Sequence, residues 1–262
     1  MSDWLHNLPV PLMTVVIFGF TYLLAGAIYA LAVGLATEER ATAFRAISHS
    51  IPSILSIIFS LFVAFTAAQV WNDSDRANAA VSREASALRT AVLLSAALPS
   101  EQETRLRDLL LQYAQHAAAV EWPMMARKEA SVRAAPSTLA EALQFAVSIS
   151  TQGANQQIAL QEIVKELQTA LDARRQRIII SNSEVNPVKW WCLYLQAACA
   201  LLVIGLVHCD NRQAARIAIG LFATGVAASV LLIAAHDRPF TGQISVSPEP
   251  LLQFMPNKPA AK

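Results

Sequence analysis

Four stretches of the chain are almost purely apolar: about 10–35, 51–70, 190–207 and 215–235. The only charged side chain in any of them is Arg216, at the start of the fourth. A helix needs roughly 20 mostly apolar residues to cross the hydrocarbon of a bilayer. The pattern therefore predicts four transmembrane helices, with Trp71, Trp190 and Trp191 at span ends, where amphipathic rings favour the interface. Ala30-Leu31-Ala32 resembles a signal-peptide cleavage site, but no Lys or Arg precedes the first run and the run is too long, so it is read as a span.

Between the second and third spans the pattern changes to helical periodicity, with no strand-like alternation. Val81, Ala85, Leu88, Val92 and Ala96 recur at helical spacing, so the second span is expected to continue as one long helix until Pro99. Ser100 with Glu103 reads as a capping box opening a helix with Leu106, Leu109, Leu110 and Tyr113 inward. Pro123 is expected to stop or kink it. Thr138 with Glu141 reads as a second capping box, and Gly153 as a break. A last helix, 155–180, should turn Ile158, Ile163, Leu167 and Leu171 inward, and the charges of the insert read as solvated. The resulting fold class is an all-α integral membrane protein, four transmembrane helices with a helical insert between spans two and three. The expected parts are residues 1–71 (spans one and two), 72–189 (insert), 190–235 (spans three and four) and 236–262 (a tail).

Composition agrees with this class. Hydrophobic residues make up 55% of the 262 and charged residues only 15%, against about 25% in soluble domains. The balance of 20 Lys+Arg to 19 Asp+Glu argues against an electrostatic nucleic-acid binder. Four spans put both termini and the insert on one side. That side carries 16 Lys/Arg (13 in the insert, with Arg238, Lys258 and Lys262), and the other carries four: Arg40, Arg45, Arg212 and Arg216. The bias persists near the span ends in Arg76, Arg83, Arg89, Arg174, Arg175, Arg177 and Lys189. The insert and both termini are therefore expected in the cytoplasm, with the chain in a bacterial inner membrane.

Candidate chemistry is sparse. Cys192, Cys199 and Cys209 read as small buried residues, not a disulfide framework, and the five histidines are scattered singly. His208-Cys209-Asp210 offers adjacent residues that do not converge on one ion, so neither a metal nor a cofactor is expected. No catalytic or phosphate-cradling motif is present, and the chain is not read as an enzyme. Gly26, Ala30 and Gly34 on the first span, and Gly220, Thr224 and Ala228 on the fourth, read as close-packing stripes.

The second span is striped differently. Ser53, Ser56 and Ser60 with Ala64 and Ala67 form a small, hydroxylated face, which back-bonding to the helix can equally explain. Ile57, Leu61 and Phe65 step by four along another face. Phe62, Thr66 and Gln69 lead to Asp73 along a third. A polar line in a span faces either a neighbouring helix or a water-filled path. Packing within one subunit and a central pore between subunits both satisfy it.

Trp71, Glu84-Ala85 with Ala87-Leu88, Tyr113, Glu121-Trp122-Pro123, Arg174 with Arg177, Trp190, and above all Asp237-Arg238-Pro239-Phe240 with Gly242 and Val246-Ser247-Pro248 resemble the bacterial bestrophin-like family. The layout is also similar to that of bestrophin anion channels. Their pore helix opens with Ile-Pro, as Ile51-Pro52 does here, and narrows at apolar residues spaced by four, as Ile57, Leu61 and Phe65 are. The resemblance implies a homo-oligomeric ring, a pentamer, whose second spans line an anion-conducting path with a neck at those three residues. Ser53, Ser56, Ser60, Phe62, Thr66, Gln69 and Asp73 would line the path or its vestibule, with chloride-like anions as the conducted species. Asp237, Arg238 and Phe240 would be structural or gating residues at the cytoplasmic end, where capping of the fourth helix is the plainer role. Thr66 stands where the family's arginine is expected, and the acidic calcium clasp of animal bestrophins has no counterpart. A ring of Asp73 carboxylates would favour cations and Arg76 would offset it, so the sign of the selectivity stays open. The competing expectation is a membrane-anchored scaffold or sensor whose insert binds a partner.

Overall fold

The computed structural model describes residues 3–35, 50–132, 137–150, 153–208 and 211–254; Arg40, Arg45, His49, Arg133, Cys209, Asp210, Lys258 and Lys262 lie outside them. All regular structure among these residues is helical. The helices are α1 (Asp3–His6), α2 (Val10–Leu35), α3 (Ser50–Ser95), α4 (Ser100–His116), α5 (Trp122–Ala126), α6 (Ser137–Ser148), α7 (Ala154–Ser181), α8 (Pro187–Val207), α9 (Arg212–His236) and α10 (Glu249–Leu252). Four of them, α2, α3, α8 and α9, are long and apolar enough to cross a membrane.

The chain divides into two compact units, the first taking the described residues among 1–72, 184–238 and 242–244 and the second those among 73–183, 239–241 and 245–262. In the first unit α2, α8 and α9 pack on one another. Their shared core joins Met13 and Ile17 of α2, Leu193 and Ala197 of α8, and Val226, Val230 and Ile233 of α9 to Phe59, Ala67 and Val70 of α3. Both later spans begin three residues before the apolar runs suggest, because an asparagine caps each. The Asn186 side chain accepts from the Val188 N–H and is followed by Pro187, which needs no donor at that position. The Asn211 side chain accepts from the N–H groups of Gln213 and Ala214.

The small-residue stripes do not pack as expected. Gly26, Ala30 and Gly34 face outward, the helix burying Met13, Ile17, Thr21, Ala25, Ile28 and Ala32 instead. Thr224 and Ala228 are exposed as well. Thr224 bonds back to the Gly220 carbonyl and meets the hydroxyl of Tyr22, each at 2.8 Å. The close approach falls at Gly205, where a Cβ would sit 3.0 Å from that of Ala32 and 3.3 Å from Ile219 Cδ1. Cys192 and Cys199 are free thiols, half-buried and exposed respectively, so neither is the buried small residue expected.

The second unit packs α3, α4, α6 and α7 around Ala77, Val81, Leu88, Leu106, Tyr113, Leu139, Ile163 and Leu167. Ala96 lies beyond the end of α3 and is exposed, and Ile158 points to solvent at 62% exposure. Neither capping box forms. The cap of α4 is Pro99, with no side-chain bond, and Ser100 already lies inside the helix. Thr138 lies one residue inside α6. Pro123 does not stop its helix either. Residues Ala117–Glu121 widen into a π-helical turn in which the Trp122 N–H reaches the Ala117 carbonyl, and Pro123 then falls in the first turn of α5, where its missing N–H costs nothing. The widened turn leaves both Glu121 and Trp122 buried.

Candidate functional site

Helix α3 has two unlike faces. Phe59, Thr66, Ala67 and Val70 are buried in the first unit, and Ala77, Ala80, Val81 and Glu84 in the second. Ile57, Leu61 and Phe65 lie on the opposite face, 67%, 55% and 69% exposed. Ser53 and Ser60 are exposed too, and Ser56 donates back to the Pro52 carbonyl at 2.7 Å. The third line turns inward. Thr66 is only 4% exposed and donates to the Phe62 carbonyl at 2.9 Å. Phe62 packs against the core of the first unit, and Gln69 accepts from Lys189 Nζ. Asp73 is mostly buried, with Arg76 3.6 Å away across one turn. The Thr66 hydroxyl and the Gln69 amide oxygen thus find partners inside the chain.

The second unit buries a charge cluster, against the expectation that its charges are solvated. Arg177 on α7 is fully buried and donates through Nε to Glu84 Oε2 at 2.8 Å and through Nη2 to Glu84 Oε1 at 3.1 Å. The same Nη2 lies 3.0 Å from Glu121 Oε2, and the guanidinium sits 4.6 Å from the centre of the Trp122 ring. Arg174, one helical turn earlier, holds Glu121 Oε1 with two donors at 2.6 and 2.9 Å. The Tyr113 hydroxyl donates to Glu84. Burial works against every charge here, but for Glu121 the bonds from Arg174 and the charge of Arg177 outweigh it and hold the carboxyl below its ordinary pKa. For Arg177 the Glu84 and Glu121 carboxylates likewise overcome burial and raise its pKa. Burial, reinforced by the Glu84 charge, pushes the Tyr113 phenol well up. Two carboxylates and two guanidiniums close on one another, so the cluster is a neutral internal clamp joining α3, α7 and the π turn. Among the described residues no group of three or more His, Cys, Asp or Glu is placed to hold a metal.

The Asp237-Arg238-Pro239-Phe240 element serves both units. In the first, Asp237 ends α9, accepting from the Val185 N–H at 2.6 Å and lying 3.1 Å from His6 Nε2. Arg238 donates to Glu184 at 3.2 Å. Gly242 has φ +86 and stands where a Cβ would press within 3.0 Å of the His6 carbonyl, so glycine alone suits the turn that returns the chain past α1. In the second unit, Phe240 meets Trp122 edge to face at 5.7 Å, and the Trp122 indole donates to the Val246 carbonyl at 2.9 Å.

A family model described as the Bestrophin-like domain matches residues 19–251. The chain belongs to the bestrophin-like family. Its fold is similar to that of a bacterial bestrophin homologue from Klebsiella pneumoniae. A point-mutant structure of that homologue matches with a TM-score of 0.72 at 12% identity, over 90% of this chain and 96% of the other. A second structure, solved by zinc phasing, gives 0.68 at 12% identity over 89% and 93%. No curated protein matches the chain. In this bestrophin-like protein the residues that carry the resemblance are not scattered. Glu84, Tyr113, Glu121, Trp122, Arg174 and Arg177 form one cluster, and Phe240 and Val246 pack on its tryptophan. The sequence reading missed this convergence, and also the His6–Asp237 pair and the Lys189–Gln69 bond. The paired Glu and Arg inside apolar helical stripes were the available signal.

Proposed function

We propose that this bestrophin-like protein is a homo-oligomeric ion channel of the bacterial inner membrane, with α3 of each copy lining a central pore. One observation carries the reading. Of the four apolar helices α3 is the least covered by its own chain, with 17% of its apolar window buried against 28–39% for the others. Its uncovered face presents Ile57, Leu61 and Phe65 in steps of four. Copies arranged around an axis, a pentamer by family likeness, would bring these side chains into stacked rings. A narrow apolar ring excludes water and so gates ions by dewetting. Ser53 and Ser60 share the uncovered side and would line the wider mouth of the path. The insert and both termini are assigned to the cytoplasm by the arginine bias.

Anions are the favoured cargo, and the two faces of α3 support that sign. Asp73 is mostly buried and paired with Arg76 at 3.6 Å, which supports a path without a ring of uncompensated Asp73 carboxylates. Arg76, 62% exposed at its side chain, points away from the core. Single-channel recording from purified protein in planar bilayers tests the reading, alongside the oligomeric state in detergent. A ring-forming oligomer with currents that rise in Phe65→Ala is expected. A monomer, silent in both wild type and Phe65→Ala, would leave the membrane-anchored scaffold as the better account.

A further inference from the structure

Beyond the neck, α3 continues without a break to Ser95, and its outward face becomes basic. At about 100° per residue, position 83 returns to the angular position of Phe65 after five turns, and position 76 falls within about 20° of it. Asp73 is turned roughly 80° aside by the same count. In the second unit Arg76 and Arg83 line a cavity of about 420 Å³ together with Gln176, Ile179 and Ile180 of α7. No carboxylate lines it.

The charges around this cavity are unequal. Arg76 has Asp73 3.6 Å away, and the exposed Asp75 is its chain neighbour. On α7, Asp172 is met by Arg175 at 3.4 Å. Arg83 is exposed and, among the described residues, has no carboxylate partner. Its chain neighbour Glu84 is consumed by Arg177, and Arg177 is the chain neighbour of Gln176. The buried Glu84–Arg177 pair therefore pins α3 to α7 at the level where Arg83 and Gln176 look into the cavity. The clamp positions the two donors without neutralising them.

We propose that this cavity is a binding site for a small inorganic anion, held by Arg83 with Gln176 as second donor and Arg76 as a weaker, partly compensated charge. The two arginines leave the helix about 10 Å apart along its axis, at successive levels of the cavity. The site suits a hydrated monovalent anion bound loosely and handed from one charge to the next, which is what passage requires. Its link to selectivity rests on the channel reading; its existence as a binding site does not.

The test has two arms on the full-length protein in detergent and in bilayers. Chloride NMR line broadening reads binding without any current. Wild type should broaden the chloride line, with bromide competing, and Arg83→Gln should bind about fivefold more weakly, the weight of one unit charge near contact in water. Arg83→Lys should retain most of the effect, and size-exclusion profiles should match wild type. Broadening absent in wild type, or unchanged in a well-folded Arg83→Gln, would overturn the site. The second arm is the reversal potential in a salt gradient, which Arg83→Gln should move toward the cation value. Weakened binding in a protein that never conducts upholds the site and fails the channel reading. Weakened binding with an unmoved reversal potential overturns the selectivity role.

Discussion

Replacing Arg177 by Met removes the centre of the buried cluster while keeping a side chain of similar length. Arg177 is the charge partner of Glu84, a carboxylate that is itself fully buried and otherwise receives only the Tyr113 hydroxyl. The substitution strands that carboxylate in a low-dielectric interior and also removes a cation from the Trp122 ring. Breaking a buried pair on one side costs about 3–5 kcal/mol, because the remaining charge is uncompensated. For a folded unit of this size that corresponds to a fall of roughly 10–20 °C in midpoint. Thermal unfolding of purified protein, followed by tryptophan fluorescence, measures it. The double variant Arg177→Met with Glu84→Gln removes the orphaned charge, so it should recover part of the loss, with a coupling of about 1–3 kcal/mol. An Arg177→Met protein that unfolds within 3 °C of wild type, or a strictly additive double variant, would refute the clamp.

The other expectations are smaller in scope. Glu121 has a folded pKa below its ordinary value of 4.5, so its contribution is complete above that value and is lost as pH falls through the folded one. Stability measured against pH should fall on that acid limb, and Glu121→Gln should flatten the limb while lowering stability at neutral pH. Asp237→Ala orphans the Val185 N–H and the His6 ring at a site where both are buried, at about 1–3 kcal/mol per group; denaturant or thermal midpoints would register it, and an unchanged midpoint would deny Asp237 its tying role. Leu61→Ser sets a hydroxyl ring in the proposed neck, which should hydrate it and raise open probability in bilayer recordings without lowering thermal stability, since Leu61 is exposed in the single chain.

The membrane architecture was legible because a span is announced by length and apolarity, and both survive without tertiary context. The 10–35 run and α2 begin at the same residue, Val10. The starts of α8 and α9 were legible too, in Asn186-Pro187 and Asn211, but a hydropathy boundary passes over the polar caps that begin these helices. Periodicity gave faces without saying what each face meets. Gly26, Ala30 and Gly34 do lie on one side of α2, yet the chain packs its other side, and Ile158 keeps helical register while pointing to solvent. The buried clamp was the least legible feature. Glu84 and Arg177 are 93 positions apart, and Arg174 and Glu121 are 53 apart, so although each charge sits on an apolar stripe, no local pattern says which charge it meets. The π turn at Ala117–Glu121 was hidden for a related reason: Pro123 announces a disturbance, and only the packing of Glu121 and Trp122 decides that the helix widens instead of ending.

The central claim is that copies of this bestrophin-like chain surround a path lined by α3. A map of the assembled protein in lipid nanodiscs, resolved well enough to follow side chains, tests it most directly. The account predicts a closed ring in which Ile57, Leu61 and Phe65 of every copy face the symmetry axis at its narrowest level, with Arg83 exposed to the same path. A monomer, or a ring whose Ile57–Leu61–Phe65 face meets lipid while another helix meets the axis, would contradict it.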